Sequence, residues 1–151
     1  MNLKTNTKKW RQSLGELGEQ IAADYLAEHG YQVLERNYRA HRLGEIDVIA
    51  AQGSDIAFIE VKTRLLPGVQ AFDHTGQMAV SALKQKKITR TAMHYLKLQP
   101  ATRQNLRFDV MLVDYKLSRD QILTLLLKDD LVALRRYAVC EHIVAAFATF
   151  A

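Results

Sequence analysis

Asp47, Glu60 and Lys62 are the residues of this 151-residue chain whose types and spacing could do chemistry together. They lie in the stretch 44–64, GEIDVIAAQGSDIAFIEVKTR. Residues 46–51 and 56–61 are short, apolar and partly β-branched, and Gln52-Gly53-Ser54-Asp55 between them is turn chemistry, so the stretch reads as a β-hairpin. Centring the turn on Gly53-Ser54 sets Ala51 opposite Ile56, Ile49 opposite Phe58 and Asp47 opposite Glu60. Side chains alternate faces along a strand, so Glu60 and Lys62 share one face, roughly 7 Å apart, and Asp47 joins them across the pair. Like charges set opposite one another destabilise a sheet, and buried carboxylates are costly unless paired or bound to metal. Two arrangements answer that cost. One is a divalent cation of the Mg²⁺ type, which takes one or two carboxylates and keeps several waters. The other is a salt-bridged sheet edge, because the same register turns Lys62 towards Glu45. The spacing leaves both open.

The elements around the hairpin must position these groups. Residues 1–12 carry Lys4, Lys8, Lys9 and Arg11 without periodicity and read as a mobile basic tail, with Trp10 packing back on the domain. Ser13-Leu14-Gly15-Glu16 has the form of a capping box and Gly30 that of a helix stop, which predicts a helix with Leu14, Leu17, Ile21 and Tyr25 on its core face. Glu19 falls on the flank of that face, within reach of a neighbouring sheet. Residues 31–38 read as a strand, and residues 65–76, with Pro67 and Gly68, as a loop after the hairpin. Ser81 is a good cap for a second helix reaching about Leu98, buried through Leu83, Ile88, Ala92, Tyr95 and Leu96. Its Lys84, Lys86, Lys87, Arg90 and Lys97 make it the most basic element of the chain, either a phosphate-facing surface or a solvated helix face. Residues 106–115 read as a strand with Phe108, Val110 and Leu112 on one face and Asp109 and Met111 on the other. Residues 121–127 fit a helix or a buried strand equally. From Leu131 onward the pattern favours a helix, with Ile143, Ala146 and Phe147 docking on the core.

Composition bounds the classes. The length suits one domain, here residues 13–151, with enough chain to bury a core. A single cysteine, Cys140, excludes an internal disulfide and fits a reducing cytoplasm. No stretch approaches the ~20 apolar residues of a membrane span, and no apolar run follows the N-terminal lysines as in a signal peptide. A formal net charge of +5 admits a polyanionic partner. The scattered histidines make no zinc pattern, and there is neither a Gly-rich phosphate loop nor a nucleophile elbow.

Together the motifs resemble a known family. Gly18-Glu19 with Gly30, Asn37-Tyr38-Arg39, Gly44-Glu45-Ile46-Asp47, Phe58-Ile59-Glu60-Val61-Lys62-Thr63-Arg64, Ala79-Val80 with Lys84, Arg107-Phe108-Asp109-Val110 and a terminal Ala146-Phe147 are similar to the YraN-like family of predicted bacterial endonucleases. Through it they resemble the PD-(D/E)xK superfamily, and the spacing of Glu19, Asp47, Glu60 and Lys62 is similar to that of archaeal Holliday-junction resolvases. Ile46 stands where the motif's name has proline, and residues 115–140 are longer than the family's usual tail.

The resemblance implies a restriction-endonuclease-like α/β fold, a mixed central sheet flanked by helices with an α-β-β-β-α-β core. It implies Mg²⁺-dependent (or Mn²⁺-dependent) phosphodiester hydrolysis by Asp47, Glu60 and Lys62. Asp47, Glu60, the Val61 carbonyl and Glu19 would hold the metal, and Arg64, Lys84, Lys86, Lys87 and Arg90 would bind the nucleic acid. DNA is expected over RNA, selection by structure over selection by sequence, and a homodimer is left open. The alternatives are a binding module of the same fold that holds nucleic acid without cutting it, and a scaffold whose charged cluster is a sheet edge.

Overall fold

A computed structural model describes residues 7–67, 80–100 and 104–148. The first part of the basic tail, most of the loop after the hairpin and Ala79 lie outside the described residues. Among the described residues the elements follow in the order α1 (Thr7–Glu28), β1 (Gln32–Ala40), β2 (Gly44–Gln52), β3 (Asp55–Leu65), α2 (Ala82–Lys97), β4 (Asn105–Tyr115), α3 (Arg119–Leu127), α4 (Leu131–Arg136) and β5 (Ala138–Phe147). The strands form one sheet in the order β1-β2-β3-β4-β5. Only β3 and β4 are parallel; the other neighbours are antiparallel. This is a mixed α/β architecture, a five-stranded sheet flanked by helices and consistent with a restriction-endonuclease-like fold. No helix among the described residues is long and apolar enough to cross a membrane.

Alternation along the central strands supplies two cores. Val48, Ala50, Ala57, Ile59, Met111, Val113 and Tyr115 pack under α1, α3 and α4. Ile49, Ile56, Phe58, Phe108, Val110 and Leu112 pack under α2. β4 is therefore buried on both faces, as a strand in a parallel pair is expected to be.

α1 is already helical at Thr7, so residues 7–12, read from sequence as tail, are its first turns, and Ser13 stands inside the helix rather than capping it. Trp10 explains the difference. It lies one turn before Leu14 and is buried with it, which extends the apolar stripe towards the N-terminus. The buried stripe is Leu14, Gly18, Ala22 and Leu26, with Leu17, Ile21 and Tyr25 only half-buried at its side. Small residues in that stripe let the helix lie close to the sheet. A methyl group at Gly18 would collide with Thr63 Oγ1 of β3. Gly30, at φ 85°, closes the helix in a Schellman turn in which Tyr31 N–H donates to the Leu26 carbonyl.

α2 carries the Ser81 cap, whose hydroxyl accepts the Lys84 N–H. Its buried side is Ile88, Thr89, Thr91, Ala92 and Tyr95; Leu83 is 65% exposed, against expectation, because it falls on the outer side of the first turn. α3 resolves the ambiguous stretch as a helix behind a Ser118 capping box. The helix expected from Leu131 onward ends after one short element, and residues 138–147 form a strand instead. The reason is tertiary: the free edge of β4 needs a hydrogen-bonding partner, and an apolar run of this kind carries no periodicity to resist that demand. Ile143, Ala146 and Phe147 still dock on the α2-side core, as expected, but from a strand.

Candidate functional site

β2 and β3 pair from Gln52↔Asp55 to Val48↔Ile59, with Ala51↔Ile56 and Ile49↔Phe58 in the register the turn predicts. The pairing stops one residue short of Asp47. On its other side β2 stays paired to β1, where Tyr38↔Ile46 and Arg36↔Val48 bracket Asn37 and Asp47. Asn37 adopts φ 51°, a left-handed conformation that asparagine tolerates better than most residues. The strand pair turns over at this point. Val48 enters the α1-side core and Ile46 the α2-side core although they are two residues apart. Arg36 likewise reaches Gln20 of α1, while Tyr38 reaches His94 of α2.

Where the hairpin strands part, the Asp47 carboxylate takes the place of a ladder bond: its Oδ2 accepts the Val61 backbone N–H at 2.8 Å. The sequence register set Asp47 flatly opposite Glu60. The structure instead leans Asp47 across towards Val61, with Glu60 close enough for its charge to act on it. Burial and then the Glu60 charge push the Asp47 carboxyl up to about 7, against the opposing Val61 hydrogen bond. Two carboxylates thus converge from two strands in a part-buried place.

The opening between them is a cleft of about 260 Å³ lined by Gly44, Glu45, Asp47, Glu60, Lys84, Lys87 and Ile88. Lys84 reaches into it from the first turn of α2, its Nζ 2.5 Å from Glu60 Oε1. Burial works against the Lys84 charge, but the Glu60 hydrogen bond and the charges of Glu60, Asp47 and Glu45 outweigh it and raise the ammonium above its usual range. Lys84 was expected to face phosphates with the other cations of its helix; it faces the carboxylates.

Glu19 stands at the α1 edge of this group. Burial raises its carboxyl, a hydrogen bond from Asn37 lowers it, and the charge of Glu45 raises it further. Asn37 is a member of the site that sequence reasoning named only as part of a motif. Its left-handed backbone and its bond to Glu19 become visible only once β1 is placed.

The remaining expected residues divide. Lys62 is half-buried and makes no side-chain hydrogen bond or ion pair among the described residues. The Lys62–Glu45 pair of the sheet-edge alternative is not formed, and Glu45 pairs with Arg39 at 3.2 Å instead. Arg64 is held by Asp114 in a two-pronged contact, Nε to Oδ1 at 2.7 Å and an Nη to Oδ2 at 2.8 Å, with 10% of its side chain exposed. That geometry commits Arg64 to tying β3 to β4. At ~100° per helical residue, Lys86 and Arg90 point away from Lys84, with Lys87 between them and Lys84, and all four are exposed. Of the five expected nucleic-acid contacts, Arg64 and Lys84 are therefore engaged by Asp114 and Glu60, and Lys86, Lys87 and Arg90 share one exposed arc of α2.

Arg107 and Asp109 belong to a second buried network on the α1 side of the sheet, where Asp109 pairs with Ile59 beside Glu60. Asp109 accepts from Arg107, from His142 at 2.7 Å and from the Ala145 N–H, and Arg107 also donates to Tyr31. Arg107 also reaches Asp55, so the network joins β3, β4 and β5 to Tyr31, just before β1. Cys140 lies on the α1 side of the sheet, its thiol pushed up by burial to about 12, which suppresses thiolate chemistry near neutral pH.

As a metal centre the donor set fits a hard cation that keeps much of its water. Asp47 and Glu60 supply two close carboxylate groups whose mutual repulsion a cation would relieve. Among the described residues no three His, Cys, Asp or Glu side chains stand close enough to form a closed cage.

The fold and the carboxylate cleft define a class: a mixed-sheet α/β protein with an acidic pair where two hairpin strands part. The chain belongs to the uncharacterised protein family UPF0102, whose model matches residues 18–113. It is 46% identical over 104 residues to a UPF0102 protein of Syntrophus aciditrophicus (strain SB), covering 68% of this chain and 76% of the relative. It is 42% identical over 142 residues to one of Chlorobaculum tepidum, covering 94% and 95%. The second match covers all but nine residues of the chain, so it extends well beyond the family match.

Proposed function

We propose that this protein is a metal-dependent nuclease of the PD-(D/E)xK type, hydrolysing phosphodiester bonds of nucleic acid, DNA in preference to RNA, and selecting by structure rather than sequence. The observation that carries the reading is the convergence of Asp47 and Glu60 at an open, lysine-lined cleft, with the Asp47 carboxyl raised to about 7 by burial and by Glu60. Perturbed carboxyls in a cleft are a mark of functional sites.

In this reading Asp47 and Glu60 would hold Mg²⁺ or Mn²⁺, with the Val61 carbonyl as a further donor; Glu19, expected as an accessory ligand, stands near enough for its charge to act on Asp47 but does not complete a three-carboxylate set among the described residues. When bound, the cation supplies an acidified water and a positive charge for the phosphate. Lys62 orients the attacking water or stabilises the charge that develops on the phosphate oxygens. Lys87 at the cleft, with Lys86 and Arg90 on the outer face of α2, engages the backbone, and such contacts position without reading sequence. Cytoplasmic location accords with the single cysteine.

One observation favours a second reading, a binding module that holds nucleic acid without cutting it: Glu60 already has a cation, Lys84. A cleavage panel separates the two. Branched, flapped, single-stranded and duplex DNA are incubated with the protein and Mn²⁺ or Mg²⁺. Cutting of any substrate that is lost in Asp47→Ala and Glu60→Ala supports the nuclease. Binding without cutting on every substrate replaces it with the binding module.

A further inference from the structure

We propose that Lys84 is a built-in counter-cation of the Asp47–Glu60 pair, which a divalent ion must displace to reach Glu60. The inference rests on the metal-centre reading above. Lys84 Nζ occupies Glu60 Oε1 at 2.5 Å, and Asp47 and Glu45 lie close enough for their charges to act on it. The Glu60 side chain is 10% exposed while that of Lys84 is 51% exposed. The ammonium can therefore return to water without leaving itself buried and unpaired, whereas the carboxylate cannot.

Residue type and origin point the same way. Lysine is a compact, strongly hydrated charge on a flexible stem. It makes one contact here, whereas the permanent tie in the same sheet, Arg64 to Asp114, uses a two-pronged guanidinium. Lys84 also comes from α2, outside the hairpin that carries the carboxylates, so it can withdraw without disturbing β2 or β3. Its neighbour on the cleft wall is Lys87, so a withdrawn Lys84 joins a cationic rim. Metal loading would then make that rim more attractive to a polyanion.

The test is calorimetric titration with Mn²⁺ at low ionic strength on wild type, Lys84→Met, Lys84→Arg and, as a control, Lys97→Met at the far end of α2. Lys84→Met keeps the stem and removes the charge; it should bind Mn²⁺ about tenfold more tightly, a modest figure because the side chain is half in water. Lys84→Arg should bind more weakly than wild type, since a fork can hold both Glu60 oxygens. Lys97→Met should match wild type. Should Lys84→Met fail to fold, the comparison of Lys84→Arg with wild type still decides the matter. Equal Mn²⁺ affinity across all four proteins overturns the counter-cation and leaves the metal centre standing. No Mn²⁺ binding by wild type or by either Lys84 variant overturns both.

Discussion

Lys62 is the residue on which catalysis and mere binding diverge. It follows Glu60 by two positions on β3 and, unlike Lys84, has no carboxylate partner among the described residues. Lys62→Ala should leave Mn²⁺ affinity and DNA affinity nearly unchanged, as single-site titrations would show. It should lower the cleavage rate by about 100-fold or more, the usual loss for a group acting only in the transition state. Asp47 gives a prediction about stability. Its folded pKa is raised, to about 7, so between the ordinary carboxylate range and pH 7 the folded metal-free protein binds a proton that the unfolded chain does not. Its contribution is fully present at low pH and is lost as pH rises through about 7. Urea unfolding in chelator should show apo stability falling by on the order of 4 kcal/mol across that window. Asp47→Asn should flatten the slope and be the more stable protein at pH 8.

At the scale of elements, α1 and α2 hold the hairpin from opposite faces by different means. α1 lies close because Gly18 leaves room for Thr63. Gly18→Val should push the helix off β3, moving Glu19 with it, at a cost of about 1–3 kcal/mol for overpacking; thermal melts would read the cost. α2 presents its cations on two sides, and the outer side can be tested apart from the cleft. Lys86→Glu with Arg90→Glu should reduce the log–log salt slope of DNA binding by roughly one for each phosphate left without its cation, with Mn²⁺ affinity unaltered.

The same elements show what a sequence reveals. The register of the hairpin and the span of α2 were legible, because a two-residue turn and a serine cap are local chemistry; the strands run past their expected ends, β3 as far as Leu65. The end of the chain was not legible. Residues 138–147 are mostly apolar, broken by Glu141 and His142 without a clear period, and their strand form depends on the edge of β4, which no local pattern announces. Residues 7–12 misled for a related reason: their lysines and arginine show no period, so they read as tail rather than helix, although Trp10 was expected to pack back on the domain and does. At the site, the identities of Asp47, Glu60 and Lys62 were legible. The parting of β2 from β3, the left-handed Asn37 and the turning of Lys84 towards Glu60 were not, since each depends on how a third element packs.

Across the whole molecule, strand order separates near contacts from distant ones. The antiparallel run β1-β2-β3 joins sequence neighbours, while the parallel pairing of β3 with β4 needs the connection from Leu65 to Asn105 to close around α2. Contacts that close long loops form late and slowly. Asp47 and Glu60 share the hairpin and meet early; Lys84 arrives with the crossover. A refolding chain therefore passes through a stage in which the two carboxylates face each other with no ammonium between them. Their repulsion then acts on the rate of folding rather than on the finished structure. Stopped-flow refolding of the apo protein should quicken as ionic strength rises and screens that repulsion, with unfolding much less affected. In Asp47→Asn the salt dependence of refolding should largely vanish, which makes the acidic pair a kinetic toll on assembly that a neutral hairpin would not carry.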